Sequence, residues 1–229
     1  MTQPLKLISS MATRELLAEM VSLYERQSGQ SIVSEAVGGV DVAKRVQAGE
    51  AVDVVVLASN AIDKLVADQK LLAGSRVDLV RSGIAVAVKQ GSEAPDIQSE
   101  EAVKDAVKTA RTLCYSTGPS GVYLEKMFAR WGILEAIRPR IVVPPPGVPV
   151  ASLVAGGSVE LGFQQLSELM NVPGVRVVGP LPPAIQSMTI FSGGVAAGCG
   201  NPSAARALLD YMASPAHSEL KRRQGMEAA

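Results

Sequence analysis

Histidine is almost absent from this chain: His217 is the only one among 229 residues. That excludes a His-rich metal centre, and any Ser-His-Asp or Cys-His arrangement would have to be built on this one imidazole. Aromatic residues make up only 3%, so the core must be assembled from Val, Ala, Leu and Ile. That is the usual composition of buried parallel strands covered by helices. The two cysteines, Cys114 and Cys199, stand far apart in apolar surroundings and in no metal-ligand spacing. They read as two buried free thiols, with a disulfide between them as the alternative. No metal and no cofactor is expected.

An excess of charge of either sign is also missing, since 22 basic and 22 acidic residues cancel. Such a balance leaves no electrostatic footprint for nucleic acid. The one basic run, Lys221-Arg222-Arg223, reads as a helix-ending cluster that favours the macrodipole. No apolar stretch approaches the roughly 18 residues needed to span a bilayer, so direct membrane insertion is not expected. The start, Met1-Thr2-Gln3-Pro4 running into Leu5-Lys6-Leu7-Ile8, lacks the charged and long apolar regions of a secretion signal. As written, the chain is expected in the cytoplasm; it is expected in the periplasm if a leader was removed from it.

What is present is ample core material, with 47% hydrophobic and 19% charged residues. Leu5–Ser9 reads as a first strand, and Thr13 opens an amphipathic helix with Leu16, Leu17, Met20, Val21 and Leu23 on its apolar stripe. Ser31–Val37 is a second strand, followed by Gly38-Gly39 and a short helix over Asp41–Gln47. Asp53–Ala58 has the make-up of a central parallel strand, and Asn60 is placed to cap a helix reaching Lys70. This alternation is the signature of a doubly wound sheet.

The rhythm then changes. Leu79–Lys89 is a long extended stretch with a flexible joint at Ser82-Gly83. A second α/β series follows: helix Glu100–Lys108, strand Thr112–Ser116, helix Ser120–Trp131, strand Arg140–Val143, helix Val148–Ala155, then strands Glu160–Gln164 and Val175–Val178. Met188–Ala197 is another long extended segment, and helices over Ser203–Met212 and His217–Gln224 end the chain. Two extended crossings bracket the middle section, as when a chain leaves one lobe, builds a second and returns. The expected fold is α/β, with two lobes that each hold a doubly wound mixed sheet, joined by a two-stranded hinge. Residues 1–82 and 190–229 would form one lobe and 83–189 the other.

In open α/β sheets, ligands sit beyond the carboxyl ends of strands, where helix N-termini point. Four loops have the composition for this. Ser9-Ser10-Met11-Ala12-Thr13 offers two hydroxyls and free N–H groups, although Ser and Thr are also ordinary caps. Gly38-Gly39-Val40-Asp41 lets backbone N–H groups approach a ligand, or is simply a turn into a helix. Ser116-Thr117-Gly118-Pro119-Ser120-Gly121-Val122-Tyr123 is the best oxyanion loop of the set, and it lacks the Lys of a nucleotide P-loop. Pro144–Pro149 is stiffened by its prolines, with Val148 leading into a helix. Gln164 and Gln165, at a strand end, could offer amide donors. Arg81 could make a bidentate contact with a carboxylate, or a salt bridge within the protein.

Whole-chain resemblance narrows this. Ala43–Val54 (Ala-Lys-Arg-Val-Gln-Ala-Gly-Glu-Ala-Val-Asp-Val), Pro119–Tyr123, Gly162-Phe163-Gln164-Gln165 and the ending Leu208–Gly225 resemble the type 2 periplasmic binding proteins, especially their molybdate-binding branch. The resemblance implies an oxyanion held at helix N-termini between two lobes, by Ser9, Ser10, Met11, Gly39, Val40, Ser120, Gly121, Val122, Val148 and Gln165. Gly38-Gly39 stands where that branch offers hydroxyls, and Gln165 where it has a tyrosine. Together with Arg81, these departures tilt the ligand towards an organic acid.

The chain is also similar to aconitate isomerase, notably over Gly147–Gln165. That resemblance implies an allylic proton shift needing an acid/base group, for which Tyr115, Lys44, Asp41 and Glu168 are nominees and none is chosen. The expected function is a monomeric solute-binding protein that closes on a small anionic ligand and serves a membrane permease if exported. The alternatives are an isomerase of an unsaturated polycarboxylic acid and a cytosolic ligand sensor.

Overall fold

The computed structural model of the protein describes residues 3–144 and 148–229. In chain order its elements are β1 (Leu5–Ser10), α1 (Arg14–Ser28), β2 (Ile32–Val37), α2 (Gly39–Gln47), β3 (Val54–Ala58), α3 (Ser59–Ala67), β4 (Val77–Lys89), α4 (Glu100–Thr109), β5 (Leu113–Tyr115) and α5 (Pro119–Arg130). They continue with α6 (Leu134–Ile137), α7 (Val150–Gly156), β6 (Leu161–Gln165), α8 (Leu166–Leu169), β7 (Val175–Pro180), β8 (Met188–Val195), α9 (Pro202–Ala213), α10 (Ser218–Arg223) and β9 (Glu227–Ala228). The chain divides into two compact units, Met1–Arg81 with Ile190–Ala229, and Ser82–Thr189. Both boundaries fall inside strands, the first in β4 and the second in β8.

In unit 1, β1 lies between β2 and β3 and is parallel to both, while β8 runs antiparallel to β3. Successive side chains of a strand point to opposite faces, and the core divides accordingly. Leu5, Leu7, Val54 and Val56 join the cluster that α1 and α9 cover. Ile8, Val55 and Leu57 join the cluster beneath α2 and α3. Every residue of β3 is therefore buried, which is why its sequence is an unbroken apolar run. At the end of the chain, β9 pairs antiparallel with β4, setting Ala228 opposite Val80 and Glu227 opposite Arg81.

Unit 2 repeats the plan. β4 pairs antiparallel with β6 and with β7, and β5 lies parallel on the other side of β6. Ile84, Val86 and Val88 face one cluster with Leu124, Phe128 and Phe163. Ala85, Ala87 and Cys114 face the other, under Val150 and Val154 of α7. Ser99 caps α4, its Oγ accepting from the Ala102 N–H at 3.1 Å. Trp131, the only tryptophan, donates from its indole Nε1 to Glu100 at 2.6 Å and packs on Phe128 at 5.8 Å between ring centroids.

Three expectations need correction, and one gains a detail. Arg140–Val143 is not a strand: Arg138–Arg140 is a 3-10 turn, and Ile141 alone bridges to Leu113. Pro139 has no N–H for a ladder, and the Arg140 guanidinium is drawn off to the carbonyls of Lys108 and Ala110. Asn60 and Asp41 lie within the first turns of α3 and α2, whose caps are Ala58 and Gly38. Lys221, Arg222 and Arg223 do form the basic last turn of α10, and Lys221 is moreover fully buried, its Nζ donating to the carbonyls of Leu79 at 3.0 Å and Ala213 at 3.2 Å. Cys114 is buried as expected, whereas Cys199 is only partly so; both thiols are free.

Candidate ligand-binding site

In unit 1, the candidate loops lie at the carboxyl ends of β1 and β2. Ser10 is the last residue of β1, and Met11–Thr13 forms a 3-10 turn into α1. Thr13 turns its hydroxyl back onto the Ser10 carbonyl at 3.1 Å, which fixes the corner. Ser9 and Ser10 are both buried. Ser10 Oγ stands apart: it is a buried side-chain oxygen without a hydrogen-bond partner among the described residues. A buried hydroxyl left unpaired costs about 1–3 kcal/mol, and such orphans in a folded protein call for a missing partner.

Gly39, the first residue of α2, sits beside it; a Cβ there would lie 3.5 Å from Ser10 Cβ. The Gly38 carbonyl accepts from the Asp41 and Val42 N–H groups, so the N–H groups of the residues just before them, Gly39 and Val40, belong to the outward set at a helix start. Val40 is half-exposed next to them.

In unit 2, the candidate loop runs from β5 to α5. Ser116 Oγ and Ser120 Oγ are 2.9 Å apart, and the Gly118 N–H donates to Ser116 Oγ at 3.3 Å. Gly121 passes so close to the Ser116 carbonyl that no side chain fits between them. Here the glycine is needed for close approach rather than for an unusual φ. The loop opens on a cavity of about 250 Å³ whose lining includes Tyr115, Ser116, Thr117, Val122, Glu125 and Val142. The Tyr115 hydroxyl donates to Glu125 Oε1 at 3.1 Å across this cavity wall. Burial, with Glu125 reinforcing it, pushes the Tyr115 phenol well above the usual range, so it stays protonated.

A larger recess of about 380 Å³ in the same unit is lined by Glu93, Asp96, Glu160 and Thr109. Its carboxylates repel anions, and it includes none of the strand-to-helix loops.

Other expected donors are already engaged. Arg81 pairs with Glu227 at 2.7 Å on the surface of unit 1, the within-protein salt bridge of its two readings. Gln164 accepts from the Ala151 N–H at 3.3 Å, capping α7, and donates to Glu168 at 2.7 Å. The Gln165 amide meets Thr189 Oγ1 at 2.8 Å. With its nitrogen turned towards Ser82 and Gly83, it donates to their carbonyls at 2.9 and 3.3 Å, which suits both ends of the amide. Val148 is half-buried ahead of α7, and residues 145–147 of that loop lie outside the described residues.

Of the acid/base nominees, Tyr115 alone lines the described cavity at the loop; Lys44 is exposed on α2, Asp41 folds back towards Gly38, and Glu168 holds Gln164. His217 packs on Tyr211, and burial pushes the Cys114 thiol up to about 12, too high for a nucleophile at neutral pH. Glu125 had not been singled out. Its helical spacing from Gly121, four residues on, was the available signal.

A family model described as bacterial extracellular solute-binding protein matches residues 5–227. The chain belongs to the bacterial extracellular solute-binding proteins. Among relatives, an aconitate isomerase from a Pseudomonas species is 38% identical over 92% of this chain and 82% of its own. A molybdate-binding protein of Azotobacter vinelandii is 25% identical over 91% of this chain and 84% of its own. The solved structure of the periplasmic molybdate-binding protein of Azotobacter vinelandii superposes with a TM-score of 0.81 at 19% identity, covering 97% of this chain and 98% of that one. This solute-binding protein thus has the mixed α/β fold of periplasmic binding proteins. No helix among the described residues is long and apolar enough to cross a membrane.

Proposed function

We propose that this protein binds a small organic anion through neutral donors; unit 1 offers the hydroxyls of Ser9 and Ser10 and the first-turn N–H groups at Gly39 and Val40, and unit 2 offers the Ser120 hydroxyl and the first-turn N–H groups at Gly121 and Val122. The observation that carries the reading is the unpartnered, buried Ser10 Oγ at the carboxyl end of β1. An anion arriving there supplies the acceptor that the chain does not. One feature favours a carbon-based ligand over a bare tetrahedral oxyanion. Val40 and Val122 stand exposed in the first turns of α2 and α5. A bare oxyanion gains nothing from valines, whereas an organic acid has an apolar skeleton to lay against them. As in its family, the protein would act outside the inner membrane and deliver its ligand to a membrane permease, working as a monomer.

The 38% identical isomerase favours a second reading, turnover of an unsaturated polycarboxylate. Thermal-shift titration with molybdate, sulfate, citrate and cis- and trans-aconitate tests the first reading. Ligand at about 100 times its dissociation constant adds roughly 2.7 kcal/mol, so one organic acid should raise Tm by several degrees and molybdate should not. A rise with molybdate alone, or with none of them, refutes the proposal.

A further inference from the structure

We infer that Glu125 is the general base of a proton-shifting site in unit 2, held in place by Tyr115 and acting on an unsaturated carboxylate. This rests on the second reading above and gives it a chemistry. An allylic proton shift needs no redox partner. It needs a base at the carbon acid and a means of spreading the resulting negative charge.

Both line one cavity of about 250 Å³. The Glu125 carboxylate accepts from the Tyr115 hydroxyl at 3.1 Å, which leaves its second oxygen for the substrate. Tyr115 is buried and stays protonated, so it is a fixed donor that orients the carboxylate rather than a competing base. Gly121, one turn back along α5, and Ser116 and Thr117 of the preceding loop line the same cavity, where a substrate carboxylate meets the helix start. Ile141 and Val142 add partly buried apolar lining, while Val122 and Val143 are exposed at its edge.

The step balances. As the allylic C–H bond breaks, its proton forms an O–H bond with Glu125. The electron pair spreads over the three allylic carbons and the conjugated carboxylate, whose growing charge lies towards the start of α5. Glu125 then returns the proton to the far allylic carbon, and the double bond has moved by one position. Nothing is oxidised or reduced, and the base is regenerated.

The test uses the intact protein with trans-aconitate in D₂O, followed by proton NMR, alongside calorimetric binding. Wild type should interconvert the isomers and take deuterium into the allylic positions. Glu125→Gln should lower turnover by about 100-fold or more, with the dissociation constant changed less than about 5-fold. Tyr115→Phe should lower kcat about 10-fold and leave KM nearly unchanged, a split that a loss of folding would not give. Should Glu125→Gln fail to fold, Glu125→Asp, which withdraws the carboxylate by one methylene, must still lower turnover by about 10-fold. Turnover of either Glu125 variant within about 3-fold of wild type overturns the assignment. Binding without exchange in wild type overturns it while leaving the binding function intact. Absence of both binding and exchange removes the binding proposal as well.

Discussion

Gly121 lies against the carbonyl of Ser116 so closely that a Cβ at residue 121 would stand 1.6 Å from that oxygen. The contact shapes the whole β5–α5 loop, because the Ser116–Ser120 hydroxyl pair is arranged around the same turn. Gly121→Ala must therefore push Ser116 aside. The expected cost is about 1–3 kcal/mol in urea unfolding, with ligand response lost. A variant of unchanged stability that still binds would show that the loop tolerates rearrangement.

Ser10→Ala should have the reverse signature. Removing a buried hydroxyl without a partner relieves its desolvation penalty, so the ligand-free protein should be as stable as wild type or gain up to about 1–2 kcal/mol. Affinity for the anion should fall about 10-fold or more, since hydrogen bonds to charged groups contribute about 1.5–3 kcal/mol. Melting curves with and without ligand read both effects on the same samples.

Ser120→Ala should lower both quantities. Its hydroxyl is bonded to Ser116 at 2.9 Å, so about 1 kcal/mol of stability goes with it, and the anion loses a donor. Comparing this variant with Ser10→Ala in paired unfolding and binding experiments separates a hydroxyl kept for structure from one kept for the ligand.

Lys221 gives a pH dependence of definite sign. Burial lowers its amine below the ordinary lysine value of 10.5, so within that window the unfolded chain holds the proton more tightly than the folded one. Stability contributed by this group therefore rises with pH until 10.5 is passed, and it is lower at neutral pH. Lys221→Met removes the titration, and the difference in stability between wild type and variant should move in favour of wild type as pH rises through the alkaline range. Parallel urea titrations across that range check it; a difference independent of pH would contradict the assignment.

Much of the fold was legible in the sequence because strand composition reports burial directly. The run Val54–Ala58 could only be a strand covered on both faces, and the long extended stretches proved to be β4 and β8. Local pattern fell short where a side chain acts at a distance. Arg140 abandons strand pairing for carbonyls about 30 residues earlier in the chain, and Lys221 reaches a carbonyl 142 residues away. Neither is visible in local pattern. The same holds for the site: the loops could be named from hydroxyls and glycines, but the orphaned Ser10 oxygen and the Tyr115–Glu125 bond exist only once the chain is folded. Conversely, Arg81 and Gln164 looked available because their partners, Glu227 and the Ala151 amide, could not be read from sequence.

The lone tryptophan has a practical consequence. Trp131 packs on Phe128, and Phe128 packs in turn on Tyr115 at 6.0 Å, so the indole is two ring contacts from the cavity floor. Light chosen to excite only indole therefore leaves unit 1 dark and illuminates the neighbourhood of the β5–α5 loop. A change in indole emission on adding ligand is the expected sign of an occupied cavity, and it can be followed without attaching a dye.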